Sequence, residues 1–153
     1  MYPLFRDQDV TASLTDVWQF LRNPANLDLI TPEDLRFQIV SSVPATMFNG
    51  LIIEYRIKIS GFGTRTWLAE IKHIREQHSF VDEQRIGPYR FWYHYHELVE
   101  RGDTVKIIDR VYYDVPYGAV GRVLHYFFIR KTLERIFRFR RERLAEILCR
   151  NSK

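Results

Sequence analysis

A chain of 153 residues, 46% of them apolar, fits one globular domain that needs no metal or disulfide to fold. Its net charge of +4 comes from the C-terminal segment, since residues 122–153 hold 10 Lys/Arg against 3 Asp/Glu. The single cysteine, Cys149, excludes an intrachain disulfide and fits a reducing compartment. No uncharged run approaches the roughly 18 apolar residues of a membrane span, and residues 1–10 lack a signal-peptide core. We therefore expect one domain, residues 1–153, of a cytoplasmic protein.

The first predicted elements are a strand and two short helices. Residues 3–10 fit an edge strand, because proline is tolerated where a strand starts. Ser13 or Thr15 can cap the helix that follows. The apolar positions of this helix have helical spacing: Leu14, Val17, Trp18 and Leu21. Pro24 ends the helix, and Pro32 after a capping threonine predicts a second short helix or turn.

Residues 35–114 alternate between apolar and polar with a period of two, which is typical of antiparallel strands with one buried face. Turn signals divide this region at residues 48–50, 61–63, 87–88 and 101–103. Six or so strands are therefore predicted here.

The last predicted element is one long helix over residues 122–150, which contain neither proline nor glycine. Its apolar stripe is predicted to consist of Val123, Tyr126, Phe127, Leu133, Ile136, Phe137, Leu144, Ile147 and Leu148. A strand, two short helices, a run of strands and a long helix indicate an α+β fold with a helix laid across a sheet. This order argues against a Rossmann-like fold.

Several polar residues share the face of the sheet that must be buried. A loop at residues 87–89 pairs Asp82 with His94, Phe80 with His96 and Gln84 with Trp92. A two-residue turn at Arg101-Gly102 pairs His94 with Asp109 and Trp92 with Val111. This face also carries large apolar side chains, and a slip of one residue would bury charges instead. Its polar members are Asp82, Gln84, His94, His96 and Asp109.

Four interpretations of this polar row stay open. It can be a structural hydrogen-bond network in which His94 bridges two carboxylates. It can be a pocket wall that orients a mostly apolar ligand. A carboxylate–histidine pair can perform acid–base chemistry. Finally, His94 and His96 point the same way from one strand and could bind a metal together with Asp82 or Asp109.

The same residues resemble the SRPBCC superfamily of START-like, helix-grip proteins, and most closely its small bacterial ligand-binding members. The resemblance covers nearly the whole chain and is carried by short motifs. These motifs are Val17-Trp18, Asn23-Pro24, Ile30-Thr31-Pro32, Phe80-x-Asp82-x-Gln84, Gly87-Pro88-Tyr89, Trp92-x-His94-x-His96, Asp109-x-Val111-x-Tyr113 and Pro116-x-Gly118. The resemblance implies a curved antiparallel sheet wrapped around a long C-terminal helix, with a hydrophobic cavity between them.

A function follows from the resemblance and from the inward-facing positions. We expect the binding or carriage of a small hydrophobic molecule, without a cofactor or metal. The expected ligand-binding residues are Tyr55, Trp67, Gln84, Trp92, His94, His96 and Phe127. The alternative is a cyclase- or dehydratase-like enzyme acting on a polyketide-type substrate, with His94 as general base positioned by Asp82 or Asp109.

The basic terminal helix has three interpretations. A solvated face is favoured, because glutamates are interspersed and can pair along the helix, as Glu134 can with Arg138. A transient contact with a membrane surface during loading of a lipid-like ligand comes second. No nucleic acid is expected as a partner, because no recognised nucleic-acid motif accompanies the charge.

Overall fold

The computed structural model describes residues 1–59 and 63–150, except for the side chain of Arg150. Its strands are β1 (Tyr2–Val10), β2 (Gln38–Ile39), β3 (Leu51–Ile59), β4 (Gly63–Arg75), β5 (Ser79–Ile86), β6 (Phe91–Arg101) and β7 (Thr104–Asp114). Its α-helices are α1 (Leu14–Leu21), α2 (Gly118–Leu124) and α3 (Arg130–Arg150), and a π-helical turn (His125–Ile129) joins the last two. Short 3-10 segments lie at Pro24–Ile30 and Glu33–Leu35.

The described strands form one antiparallel sheet in the order β1-β7-β6-β5-β4-β3-β2. Helix α3 packs on one face of the sheet through its buried residues Leu133, Phe137, Leu144 and Leu148. The sheet is open, with β1 and β2 at its edges. This architecture confirms the predicted α+β helix-grip fold and the edge strand at the start of the chain.

Irregular pairing between β4 and β5 contributes to the curvature of the sheet. The register shifts between Leu68 and Ala69 and again between Lys72 and Arg75. An extra residue in one strand bends that strand and increases its local twist. Near the second shift, His73 takes a φ of 55°, which a non-glycine residue rarely adopts. The curved sheet leaves room for a cavity between its concave face and the helices.

One predicted register is confirmed and the next is wrong by two residues. Between β5 and β6, Asp82 pairs with His94 and Phe80 with His96, as the turn after Gly87 predicts. Between β6 and β7, however, His94 pairs with Val111, not with Asp109, and Trp92 pairs with Tyr113, not with Val111. The turn residues are Gly102-Asp103, since Arg101 pairs with Thr104. Gly102 has a φ of 59°, a conformation that glycine adopts without steric cost.

The terminal helix also departs from its prediction. It begins at Gly118 instead of residue 122, and its π-helical turn adds one residue to a turn of the helix. The buried face upstream of Leu133 is therefore formed by His125 and Gly121. Three residues predicted to lie on the buried stripe, namely Val123, Tyr126 and Phe127, are exposed instead.

The segment between β1 and β2 covers one end of the concave face. Of the two predicted caps, Ser13 rather than Thr15 caps α1, by accepting a hydrogen bond from the backbone of Asp16 at 3.1 Å. Pro24 ends the α-helix but starts a 3-10 segment that the sequence did not predict, whose residues Pro24 and Ile30 are buried. The predicted turn at residues 61–63 lies outside the described residues except for Gly63, where β4 begins. In the described part of the chain, no helix has the length and apolar character needed to cross a bilayer, and the cytoplasmic location stays a prediction.

Candidate functional site

Asp109 is the centre of the buried polar row. Its Oδ1 atom lies 2.9 Å from Nε2 of His94 and 2.8 Å from Nδ1 of His96. His96 is directly opposite Asp109 on the neighbouring strand, and His94 reaches it diagonally across the β6–β7 pair. All three residues are buried. The two-residue error in the predicted register leaves this cluster intact, because side chains two residues apart share a face of the sheet.

The charge states of this cluster follow from burial and hydrogen bonding. Burial, together with the neighbouring His96, lowers the pKa of His94 to about 3, although the Asp109 carboxylate opposes the shift. Burial alone would raise the pKa of Asp109, but hydrogen bonds from His94 and His96 outweigh burial and hold this pKa well below its usual range. At neutral pH, His94 is therefore a neutral imidazole that donates from Nε2 to a charged carboxylate.

Asp82 lies beside this cluster but is not part of its hydrogen bonds. It pairs with His94 in the β5–β6 register and borders a cavity. Its Oδ1 atom is buried and has no hydrogen-bond partner among the described residues. Burial raises the pKa of Asp82, although His96 and Arg140 oppose the shift. The environment thus favours the protonated carboxyl group.

The cavity lies between the concave face of the sheet, the segment after α1 and helix α3. About 70 Å³ of it is open to the centres of water-sized molecules, which leaves room for several waters or a small organic molecule. Its lining is mostly apolar and includes Phe20, Leu27, Ile30, Met47, Ile53 and Ile107. The polar residues Tyr55, Asp82, His96, Asp109 and Arg140 also border it. Apolar walls with a few converging polar groups are typical of ligand-binding cavities.

Arg140 is the site residue that sequence reasoning missed. It was assigned to the solvated face of the terminal helix, yet it borders the cavity and its Nε atom is buried without a partner among the described residues. Its guanidinium carbon lies 5.2 Å from the centre of the Phe137 ring. The signal was the spacing, since Arg140 follows buried Phe137 by three residues and precedes buried Leu144 by four. That spacing places Arg140 on the buried face.

The structure separates the predicted ligand-binding residues into two groups. Tyr55 and His96 border the cavity. The others do not: Trp67, Gln84, Trp92, His94 and Phe127. Trp67 and Trp92 pack edge to face at 5.1 Å within an aromatic cluster that also contains Tyr89 and Tyr113.

Gln84 and Phe127 have other surroundings. The side chain of Gln84 donates to the carbonyl oxygen of Tyr89 at 2.7 Å and accepts from the amide of Tyr89 at 3.3 Å, which fixes the β5–β6 turn. Phe127 is 54% exposed on the π-helical turn. His94 lies behind His96 and uses its Nε2 atom in the bond to Asp109.

His94, His96 and Asp109 also form the only group of potential metal ligands found among the described residues. One ligand atom from each lies within 4.8 Å of the others. Two imidazoles and one carboxylate are a common donor set for transition metals. However, these donor atoms already satisfy one another by hydrogen bonding, and the nearby positive charge of Arg140 disfavours a cation. The arrangement therefore fits a structural network better than a metal centre.

Solved structures resemble the chain over nearly its full length. TTHA0849 from Thermus thermophilus is 12% identical, with a TM-score of 0.75 over 99% of this chain and 100% of that chain. A START superfamily protein from Mycobacterium smegmatis is 13% identical, with a TM-score of 0.71 over 96% and 99%. Major latex-like protein 151 from Panax ginseng is 10% identical, with a TM-score of 0.69 over 96% and 97%. No family model and no curated protein matches the chain.

These likenesses concern the fold. The chain has the helix-grip α+β fold that these structures share, among them a START superfamily protein, and this is the fold that the sequence motifs predicted. One fold can support many unrelated functions, so the function has to be argued from the cavity and its polar wall.

Proposed function

We propose that this protein binds a small, mostly apolar molecule carrying an oxygen acceptor, held in the cavity between the sheet and α3. The observation that carries the proposal is an apolar cavity bordered by Arg140, whose buried Nε atom has no hydrogen-bond partner among the described residues. A buried donor that lacks an acceptor costs about 1–3 kcal/mol, and more when it is charged. A ligand oxygen that accepts from Arg140 would remove this cost.

The polar residues that border the cavity offer the ligand several further hydrogen-bond donors. Arginine has only donors and stays charged at any physiological pH. Burial raises the pKa of Asp82 and is also the largest cause of the raised pKa of Tyr55, so both groups are favoured in their protonated form. The wall therefore fits an oxygen atom of the ligand better than an N–H group.

The charges on the wall narrow the ligand class further. Arg140 and Asp109 carry opposite charges and both border the cavity. When Asp82 is protonated, these two charges compensate each other. A ligand with an uncharged hydrogen-bond acceptor, such as a ketone or ester carbonyl, then leaves the net charge of the cavity unchanged. A carboxylate ligand instead adds a second negative charge near Asp109. We therefore expect a carbonyl compound.

Three small probes that differ in one group test this proposal: toluene, acetophenone and benzoate. Isothermal titration calorimetry measures the affinity of each probe for the wild type and for Arg140→Gln. We expect acetophenone to bind more tightly than toluene and benzoate. The Arg140→Gln substitution should weaken acetophenone binding about tenfold or more, because it removes a charge-assisted hydrogen bond. Toluene affinity should not change.

Arg138→Gln is the matched control, because Arg138 lies on the same helix and is exposed. It should leave all affinities unchanged. Equal acetophenone affinity in the wild type and in Arg140→Gln would overturn the role of Arg140. If none of the three probes binds, a cavity that accepts small apolar molecules is itself refuted.

A second candidate function is acid–base catalysis on a polyketide-type substrate. The observation that favours it is that Asp82, with its raised pKa, and His96 border the same cavity. The sequence named His94 as the base, but His94 does not border the cavity. In this candidate Asp82 donates a proton and His96 accepts one. Turnover that survives in Asp82→Asn would reject it, whereas loss of turnover with unchanged substrate affinity would support it.

A further inference from the structure

An exposed apolar segment lies at the start of the terminal helix, several turns before the cavity residues Arg140 and Leu144. We define the exposed aromatic segment as residues 117–128. Its exposed large apolar side chains are Tyr117, Val120, Val123, Tyr126, Phe127 and Phe128. Single exposed apolar residues are ordinary, but a dense group on a short helix marks an interaction surface.

The π-helical turn explains why these side chains face outward. Helix α2 and the turn contact the rest of the domain through a narrow stripe. Gly121 packs so closely on Pro116 that an added Cβ would lie 1.8 Å from the Pro116 carbonyl oxygen. His125 stacks on Tyr2 at 3.6 Å and lies 2.8 Å from the hydroxyl group of Tyr113. With this stripe anchored, the remaining faces of the helix point away from the domain.

The charged side chains within the exposed aromatic segment and directly after it have one sign. Arg122, Arg130 and Lys131 are exposed, and residues 117–133 contain no acidic residue. The first acidic residue is Glu134, which accepts a hydrogen bond from Arg130 at 3.1 Å. Aromatic side chains and cations on one helix match the interface of a membrane, where rings lie at the headgroup level and cations meet anionic lipids.

We infer that residues 117–131 dock on an anionic lipid surface. The charge argues for this occupant over a second copy of the chain. A two-fold symmetric pair places the same patch against itself, so the cations of one copy would face those of the other without a compensating carboxylate. An anionic bilayer instead supplies negative charge for the arginines and a boundary region for the aromatic rings.

Vesicle sedimentation tests this inference with two lipid compositions. One contains phosphatidylcholine alone, and the other contains about a quarter phosphatidylglycerol, which makes the surface anionic. The wild type should bind the anionic vesicles and only weakly the neutral ones. The double substitution Arg122→Gln/Lys131→Gln should lower the partition coefficient about fivefold for each charge removed. The control Arg56→Gln/Lys58→Gln, on the exposed positions of β3, should have little effect.

Two matched substitutions of exposed phenylalanines test whether binding depends on this segment or on the hydrophobicity of the surface in general. Phe127→Ser removes a ring that is 54% exposed, and Phe48→Ser removes one that is 55% exposed in a loop. Neither ring belongs to the core, so both variants should keep the thermal midpoint of the wild type. Only Phe127→Ser should weaken binding to anionic vesicles.

Three outcomes would overturn the inference. Failure to bind anionic vesicles excludes the lipid surface. An equal loss of binding in Phe127→Ser and Phe48→Ser excludes this segment as the docking site. A wild-type dimer in analytical ultracentrifugation that Phe127→Ser converts to a monomer assigns the segment to self-association. Because the cavity probes do not use this surface, failure here leaves the proposed ligand binding unaffected.

Discussion

Replacing Asp109 tests whether the buried polar row holds the fold together. Asp109→Ala removes the acceptor of two hydrogen bonds, at 2.9 Å from His94 and 2.8 Å from His96. A hydrogen bond to a charged group contributes about 1.5–3 kcal/mol, so the variant should lose about 3–6 kcal/mol of unfolding free energy. Asp109→Asn keeps an acceptor oxygen but loses the charge, and should lose about half as much.

These losses are measurable against the roughly 5–15 kcal/mol of unfolding free energy that is typical of a domain. Urea denaturation followed by circular dichroism and tryptophan fluorescence gives the unfolding free energy of each variant. Asp103→Asn in the exposed β6–β7 turn is the control and should stay within about 0.5 kcal/mol of the wild type. If Asp109→Asn is as stable as this control, or more stable than the wild type, the structural interpretation of the row is wrong.

Two further substitutions have clear expected outcomes. Because burial raises the native-state pKa of Asp82 above its unfolded value, the contribution of Asp82 to stability is present at low pH and is lost as the pH rises through the native pKa. The unfolding free energy of Asp82→Asn, measured by urea denaturation, should therefore increase relative to that of the wild type as the pH is raised from about 4 to about 8. A difference between the two proteins that does not change with pH would contradict the raised pKa of Asp82. Gly121→Ala should lower the unfolding free energy by about 1–3 kcal/mol or more, because its Cβ meets the Pro116 carbonyl oxygen. Exposed Ala119→Ser is its control, and equal thermal midpoints for the two variants would refute the close contact.

The sequence was sufficient to predict the fold because several signals agreed. Alternation predicted the strands, and the residues around Gly87 fixed the β5–β6 register, which the pairing of Asp82 with His94 confirms. The β6–β7 turn was predicted one residue too early, which shifts the register by two residues, because Arg101-Gly102 and Gly102-Asp103 both fit a two-residue hairpin. An even shift keeps every side chain on its face, so the composition of the polar row survived the error.

The terminal helix was less predictable. A period of 3.6 residues assumes uniform winding, and nothing in the sequence of residues 125–129 marks a π-helical turn. The additional residue in that turn moves the buried face from Tyr126 to His125. The predicted stripe is therefore correct downstream of the turn, for example at Leu133, and wrong upstream of it.

The cavity itself was predicted only in part. Tyr55, Asp82, His96 and Asp109 were placed on the inward face from alternation alone, and all four border the cavity. Arg140 was missed because it lies in a run of basic residues, where a solvated face is the usual interpretation. The contribution of the segment after α1 could not be predicted either, because that segment reaches the sheet only through tertiary packing.

Native mass spectrometry of the freshly purified wild type and of Arg140→Gln tests the central claim most directly. If the cavity holds an apolar molecule through Arg140, the wild type should carry an adduct of small-molecule mass that leaves on denaturation. Arg140→Gln should carry much less of this adduct, and Arg138→Gln should retain it. An adduct held equally by the wild type and by Arg140→Gln, or a stoichiometric metal ion in its place, would contradict the proposed mode of binding.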